Sequence, residues 1–134
     1  MAVGLRVGTD LVAIQDIATS IANFGDRYVR RIFTDAEIAY CQSGSAEEAP
    51  ARFAARFAAK EATIKALRPN YHWSAWREIE VHRDPVGWCD LVLSGTAAEL
   101  ARDAGLTRFA VSLAHDSQYA TAVVVAQGAT YGDS

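Results

Sequence analysis

The sequence has no excess of positive charge. Its 13 lysines and arginines are outnumbered by 16 acidic residues, for a formal net charge of −3. Such a chain has no broad electropositive footprint for nucleic acid or an anionic membrane surface, so any phosphate site must be local. Cysteine is scarce as well. Cys41 and Cys89 stand far apart, fit neither a metal-binding spacing nor a disulfide framework, and read as structural thiols. No hydrophobic run approaches the ~20 residues that cross a bilayer. The opening stretch MAVGLRVGTDLV lacks a basic n-region and carries Arg6 and Asp10 within its apolar run, unlike a signal peptide. A cytoplasmic location is expected. Repeats, low-complexity segments, a Walker A loop and a dinucleotide-type glycine fingerprint are all missing, and no Ser-His-Asp arrangement recommends itself.

What remains is an ordinary globular balance: 134 residues, 51% hydrophobic and 22% charged. That is enough chain for one domain with its own core. The domain is expected over 1–127, with 128–134 as a flexible tail.

The most informative stretch is Arg52-Phe-Ala-Ala-Arg-Phe-Ala-Ala-Lys-Glu-Ala-Thr-Ile-Lys-Ala-Leu67. Rich in alanine and free of glycine and proline, it predicts a helix. At 3.6 residues per turn, Phe53, Phe57, Ile64 and Leu67 fall on one face and Ala55, Ala58, Ala59, Ala62 and Ala66 on the opposite one. Such a helix can be packed on both sides and is expected at the centre of the domain. Lys60 projects into the bulky stripe, where an unpaired ammonium is costly. Glu61 and Lys65 stand four apart at its edge, with Arg56 on the other side. Two readings stay open. One is an i,i+4 surface pair and a snorkelling lysine. The other is a site for a metal-bound polyanion, with Glu61 on the metal and the cations on phosphates.

Around this helix the periodicity changes. Val3, Leu5 and Val7 alternate as a first strand, with the simple pattern ending at Gly8-Thr9. Asp10 follows among aliphatics, either as an N-cap or as a ligand. Ile14, Ile17, Ala18 and Ile21 mark a helix stopping at Gly25. A short basic segment, Asp26 to Phe33, leads to a capping-box pattern at Thr34-Asp-Ala-Glu37. Alternation over Trp76–His82 and Trp88–Leu93 predicts one hairpin. Arg108–Ala114 and Tyr119–Val125 predict another, after a short helix over Thr96–Ala104. His115, at a strand end, reads as a hydrogen-bonded structural histidine or as a site residue. The fold class is α+β: an antiparallel sheet with helices on one side and the central helix innermost, Trp76 and Trp88 adding to the sheet's apolar faces.

Val7-Gly-Thr-Asp-Leu11 and Phe57-Ala-Ala-Lys-Glu-Ala-Thr-Ile-Lys-Ala66 together resemble the signature of the 4′-phosphopantetheinyl transferases, in the small holo-(acyl carrier protein) synthase branch. The likeness extends through Arg31–Glu37, Glu78–Val81, Val111–His115 and Tyr119–Val123. It implies a 4′-phosphopantetheinyl transferase fold and a Mg²⁺-dependent transfer of phosphopantetheine from coenzyme A to a serine of an apo acyl carrier protein, releasing 3′,5′-ADP. By the same resemblance Asp10 and Glu61 would hold Mg²⁺, and Asp10, Glu61 and Lys65 would form the catalytic set. Lys60 and Lys65 would steady phosphate oxygens, with Arg56 and His115 near the nucleotide's phosphates. The family's small branch further implies a homotrimer with sites between subunits.

The chain departs from the family pattern in three places. Leu67-Arg-Pro-Asn-Tyr-His-Trp73 replaces the usual Gly-Thr-Gly turn, and Ala13 and Asp16 stand where an acid and a carrier-docking base are usual. The departure at Asp16 implies a narrower or different carrier preference than the common fatty-acid carrier, with the nearest positive cluster, Arg27, Arg30 and Arg31, expected to take over docking from a shifted position. The alternatives are a non-catalytic coenzyme A or carrier-binding module, and another metal-dependent phosphodiesterase.

Overall fold

The computed structural model describes residues 4–129. Val3 and the tail beyond residue 129 lie outside the described residues. The first strand, β1 (Leu5–Ala13), does not end at Gly8-Thr9. It pairs antiparallel with β5 (Tyr119–Gly128) along its whole length, from Leu5 opposite Gln127 to Ala13 opposite Tyr119. β5 pairs in turn with β4 (Leu106–His115), giving a three-stranded sheet in the order β1-β5-β4.

Helix α1 (Ile14–Phe24) leaves β1 directly, with Ala13 at its N-cap and no side-chain cap. Asp10 is therefore a strand residue, and its reading as a helix cap falls. Gly25 turns the chain at a φ of 58° into α2 (Asp26–Ile32). The capping box opens α3 (Asp35–Gln42) as expected, with Thr34 and Glu37 each taking the other's backbone N–H.

The central helix, α4 (Ala49–Leu67), packs on both sides. Ala55, Ala58, Ala59, Ala62 and Ala66 are all buried, as are Ala120, Ala122, Val124 and Ala126 on β5. Small side chains on helix and sheet let the two backbones approach closely. At Gly8 of β1 the approach is closest: an added Cβ would meet the carbonyl oxygen of Ala62 at 1.8 Å. On the other side, Phe53 packs on Phe33 and Phe57 stacks on Trp76, with ring centroids 4.8 and 5.5 Å apart. The C-terminus of α4 is closed by Arg6, which donates to the carbonyls of Ala66 and Leu67 at 3.2 Å.

The expected single sheet is two. β2 (Ile79–Arg83) and β3 (Cys89–Leu93) form a separate two-stranded ribbon, after which comes α5 (Gly95–Asp103). Ladder pairing in the ribbon runs only between its own two strands, so it joins the main sheet through side chains: Leu91 and Leu93 line a pocket with Phe109 of β4. Trp76 and Trp88 are on neither sheet. Trp76 begins a short 3-10 turn (Trp76–Glu78), and Trp88 sits in the β2–β3 turn. The outward face of the main sheet is apolar for another reason: Leu5, Val7, Leu11, Val123 and Val125 all point away from α4 and are exposed.

Candidate active site

The contact of Gly8 with Ala62 decides where the functional side chains go. Two residues along β1 from Gly8, Asp10 again faces the helix side. There Lys65, one turn beyond Glu61 on α4, donates to Asp10 Oδ1 at 3.2 Å and to the Thr9 carbonyl at 2.7 Å. Of the two readings left open, the i,i+4 pair of Glu61 with Lys65 is not formed, and Lys65 pairs with Asp10 instead. Asp10 and Glu61 line one cleft of about 690 Å³ with Asp16, Arg31, Phe57 and Trp76. Partial burial, and secondarily the negative charge of Asp10, push the Glu61 carboxyl above the usual carboxylate range, while Lys65 opposes the shift.

Two carboxylates close enough to repel, with one ammonium paired to Asp10, are chemically suited to a hard divalent cation. Mg²⁺ takes one or two protein carboxylates and fills its octahedron with phosphate and water oxygens. Among the described residues no larger cluster of acidic, histidine or cysteine side chains competes for that role.

Lys60 is a correction. Its side chain is fully buried, 0% exposed, and pairs with Glu37 Oε1 at 2.8 Å. It also donates to the backbone carbonyls of Trp76 and Ile79. Burial lowers its pKa and the Glu37 carboxylate works against that shift. Enclosed by Glu37 and two carbonyls, this ammonium has no free donor direction toward a ligand, so its role is structural. Its partner was not read from the sequence beyond the capping box. Glu37 takes N–H bonds from Thr34 and Val81, both at 2.8 Å, as well as the ammonium.

Arg56 and His115 lie in a different cleft of about 450 Å³, which shares no lining residue with the Asp10–Glu61 cleft. His115 is exposed at the end of β4, with Nδ1 3.3 Å from the Asp116 carbonyl. Arg56 is only 6% exposed, and among the described residues its guanidinium has no carboxylate within ion-pair distance. It lies over the Tyr40 ring at 4.4 Å, with Arg52 at 4.6 Å and Arg83 at 5.2 Å. Arg52 could have been suspected from its i,i+4 spacing to Arg56. Arg83 and Tyr40 come from other elements and carry no local signal. Of the two thiols, Cys41 is buried, which drives its pKa up to about 12 and leaves it inert. Cys89 is half-buried at the wall of the arginine cleft.

The family model of the 4′-phosphopantetheinyl transferase superfamily matches residues 6–124. The chain belongs to that superfamily. It is 46% identical over 122 residues to a holo-[acyl-carrier-protein] synthase of Koribacter versatilis, covering 90% of this chain and 96% of that protein. Among solved structures, the apo-ACPS of Chronobacterium ammoniagenes superposes with a TM-score of 0.83 at 30% identity, covering 96% of this chain and all of that one. The same organism's ACPS–CoA complex gives 0.82 at 30% identity, covering 95% and 99%. The fold is therefore that of the superfamily: antiparallel strands packed on a central helix. The chain is a 4′-phosphopantetheinyl transferase of the holo-[acyl-carrier-protein] synthase type.

Proposed function

We propose that this transferase works through Asp10 and Glu61 as Mg²⁺ ligands, with Lys65 on the phosphate oxygens of coenzyme A. Phosphopantetheine passes to a serine hydroxyl of an apo acyl carrier protein, and 3′,5′-ADP leaves. The observation that carries the reading is that Asp10 and Glu61, more than fifty residues apart in sequence, line one cleft, while Lys65 pairs with Asp10 at 3.2 Å. Bound there, the metal would neutralise charge on the pyrophosphate and on the departing phosphate. Asp10 and Glu61 supply hard oxygens on two rigid elements. Lys65, exposed and held by only two acceptors, can turn from Asp10 to a phosphate at little cost.

Arg56 and His115 would take the nucleotide's phosphates from the second cleft. Since the two clefts have no wall in common, one coenzyme A reaching both is best supplied by two copies of the chain. A homotrimer with sites between subunits fits this. Its contact surface would be the apolar outward face of the three-stranded sheet, where Leu5 is 67% and Leu11 66% exposed. A cytoplasmic location agrees with these substrates, and no described helix is long and apolar enough to cross a membrane.

The test is to incubate the protein with coenzyme A, Mg²⁺ and a panel of apo carrier proteins, and to weigh each carrier intact. A phosphopantetheine increment on at least one carrier is expected, abolished by EDTA. Asp10→Asn and Glu61→Gln should each lower transfer by orders of magnitude while keeping the parent's melting temperature, and Lys65→Met should do the same. Near-normal turnover in all three variants would remove this assignment of the site. Release of 3′,5′-ADP without a carrier would favour a phosphodiesterase, and coenzyme A binding without any turnover a binding module.

A further inference from the structure

We propose that Arg68 is a specificity-determining residue of this transferase, its guanidinium binding the phosphate of coenzyme A that is bonded to the pantetheine arm. This rests on reading Asp10 and Glu61 as the metal site. Among the described residues Arg68 is the one non-glycine residue with a positive φ, at φ 57° and ψ 54° as the C-cap of α4. Glycine or asparagine is the ordinary occupant of such a left-handed cap, because a β-carbon there crowds the backbone. Pro69 follows directly, and a residue before proline is biased toward extended backbone. An arginine is thus held where its backbone is disfavoured twice over, which points to a role for its side chain.

That side chain has a fixed mount. The Arg68 N–H donates to the Ile64 carbonyl at 2.9 Å, and Leu67 before it is buried. Arg6 clamps the carbonyls of Ala66 and Leu67 from β1. Glu61, Lys65 and Arg68 fall at i, i+4 and i+7, on one face of the helix. They line a side cleft of about 390 Å³ with Tyr71, His72 and Trp76. Glu61 and Trp76 also line the metal cleft, so the two clefts adjoin. The segment that supplies Arg68, Tyr71 and His72 is the one that replaces the Gly-Thr-Gly turn, so this cation is the chain's own rather than part of the family pattern.

The charge at this position has no counter-ion in the protein. Arg68 is exposed and makes no ion pair among the described residues, while Lys65 is engaged by Asp10 and the Thr9 carbonyl. A cation at a helix C-terminus is favoured by the macrodipole, but Lys65 in the last turn supplies that without strain. What an arginine adds is a planar fork that takes two oxygens of one phosphate. Its cleft shares walls with the metal cleft and none with the arginine cleft. Of the two phosphates that a metal at Asp10 and Glu61 would bridge, the guanidinium is therefore suited to the one carrying the arm, which is the one transferred.

The experiment measures equilibrium binding of coenzyme A and of 3′,5′-ADP by calorimetry, with Mg²⁺ and no carrier, alongside the melting temperature. 3′,5′-ADP lacks the arm and the phosphate bonded to it. Arg68→Gly relieves the left-handed backbone and should melt at or above the parent's temperature. It should nevertheless bind coenzyme A roughly tenfold more weakly, with 3′,5′-ADP unchanged. Arg68→Asn, which also tolerates that backbone, should do the same, and Arg68→Lys should recover part of the affinity. Parent-like coenzyme A binding in Arg68→Gly and Arg68→Asn overturns the proposal, and slower modification of a carrier by those variants would then place Arg68 at the carrier instead. An equal loss of both ligands overturns it as well, since the guanidinium would act on a group they share. A lower melting temperature in both variants would make Arg68 a structural cap and overturn it too. If the parent binds coenzyme A equally with Mg²⁺ and with EDTA, the metal-site reading falls and this inference with it. If Mg²⁺ strengthens binding and Arg68→Gly matches the parent, only the inference falls.

Discussion

A β-carbon on Gly8 would stand 1.8 Å from the carbonyl oxygen of Ala62 and 2.8 Å from its carbonyl carbon. The absence of a side chain at residue 8 is what lets β1 lie on α4, and that contact brings Asp10 to Glu61 and Lys65. The neighbour here is helix backbone, whose carbonyl is tied into the α-helical ladder and cannot swing aside.

Gly8→Ala should therefore act on the site as well as on stability. Restoring an ordinary contact requires the strand to move on the order of 1.5 Å in a close-packed interior. The expected cost is about 1–3 kcal/mol, read as a drop in melting temperature. Mg²⁺ dependence should shift to higher concentration because Asp10 and Glu61 separate. A Gly8→Ala protein with the parent's melting temperature and metal requirement would show that β1 and α4 do not meet this way.

Lys60 is expected to behave as a buried structural cation. Lys60→Met leaves the Glu37 carboxylate without its ammonium in a fully buried setting, a loss of about 3–5 kcal/mol. Because Thr34 and Val81 still donate to Glu37, the low end of that range is expected, with a melting temperature lower by roughly 10 °C. The double variant with Glu37→Gln should recover part of the loss, since no unpaired charge remains. Below its melting point, Lys60→Met should keep the parent's KM for coenzyme A. A raised KM with unchanged melting would return Lys60 to the phosphate site.

Asp16 bears on carrier choice. It is exposed in the first turn of α1 and lines the cleft that holds Asp10 and Glu61, with Arg31 of α2 at the same cleft. A carrier that is acidic around its serine would meet Asp16 as a repulsive rim charge, which acts mainly on association rate. Asp16→Arg should speed modification of a generic acidic carrier several-fold, most at low salt where screening is weak. Arg30→Glu combined with Arg31→Glu should slow it, without changing coenzyme A affinity. Unaltered rates for every carrier in Asp16→Arg would place residue 16 outside the docking surface.

Local patterns in the chain specify a good deal. Alternation and turn chemistry are sufficient for the two hairpins, the Thr34/Glu37 pair for the start of α3, and alanine content with period for α4, because each depends on residues within a turn or two of one another. The two fragments carrying Asp10, Glu61 and Lys65 are legible as a pair for the same reason: each is short and self-contained. Whatever depends on long-range packing is hidden. The division of the strands into two sheets depends on which edge is hydrogen-bonded, and nothing within a strand records its neighbour. The helical period sets Lys60 in the bulky stripe, but its partner Glu37 is delivered by α3, since what an ammonium pairs with is a property of what packs over it. Lys65 pairs with Asp10 rather than with Glu61, four residues away, only because Gly8 lets a strand come into contact with the helix. The grouping of Arg52, Arg56 and Arg83 on Tyr40 joins three elements. The chain alone determines the chemistry available at each position, while the tertiary structure decides which charges meet, because electrostatic pairing falls off over a few ångströms and those distances are set by packing.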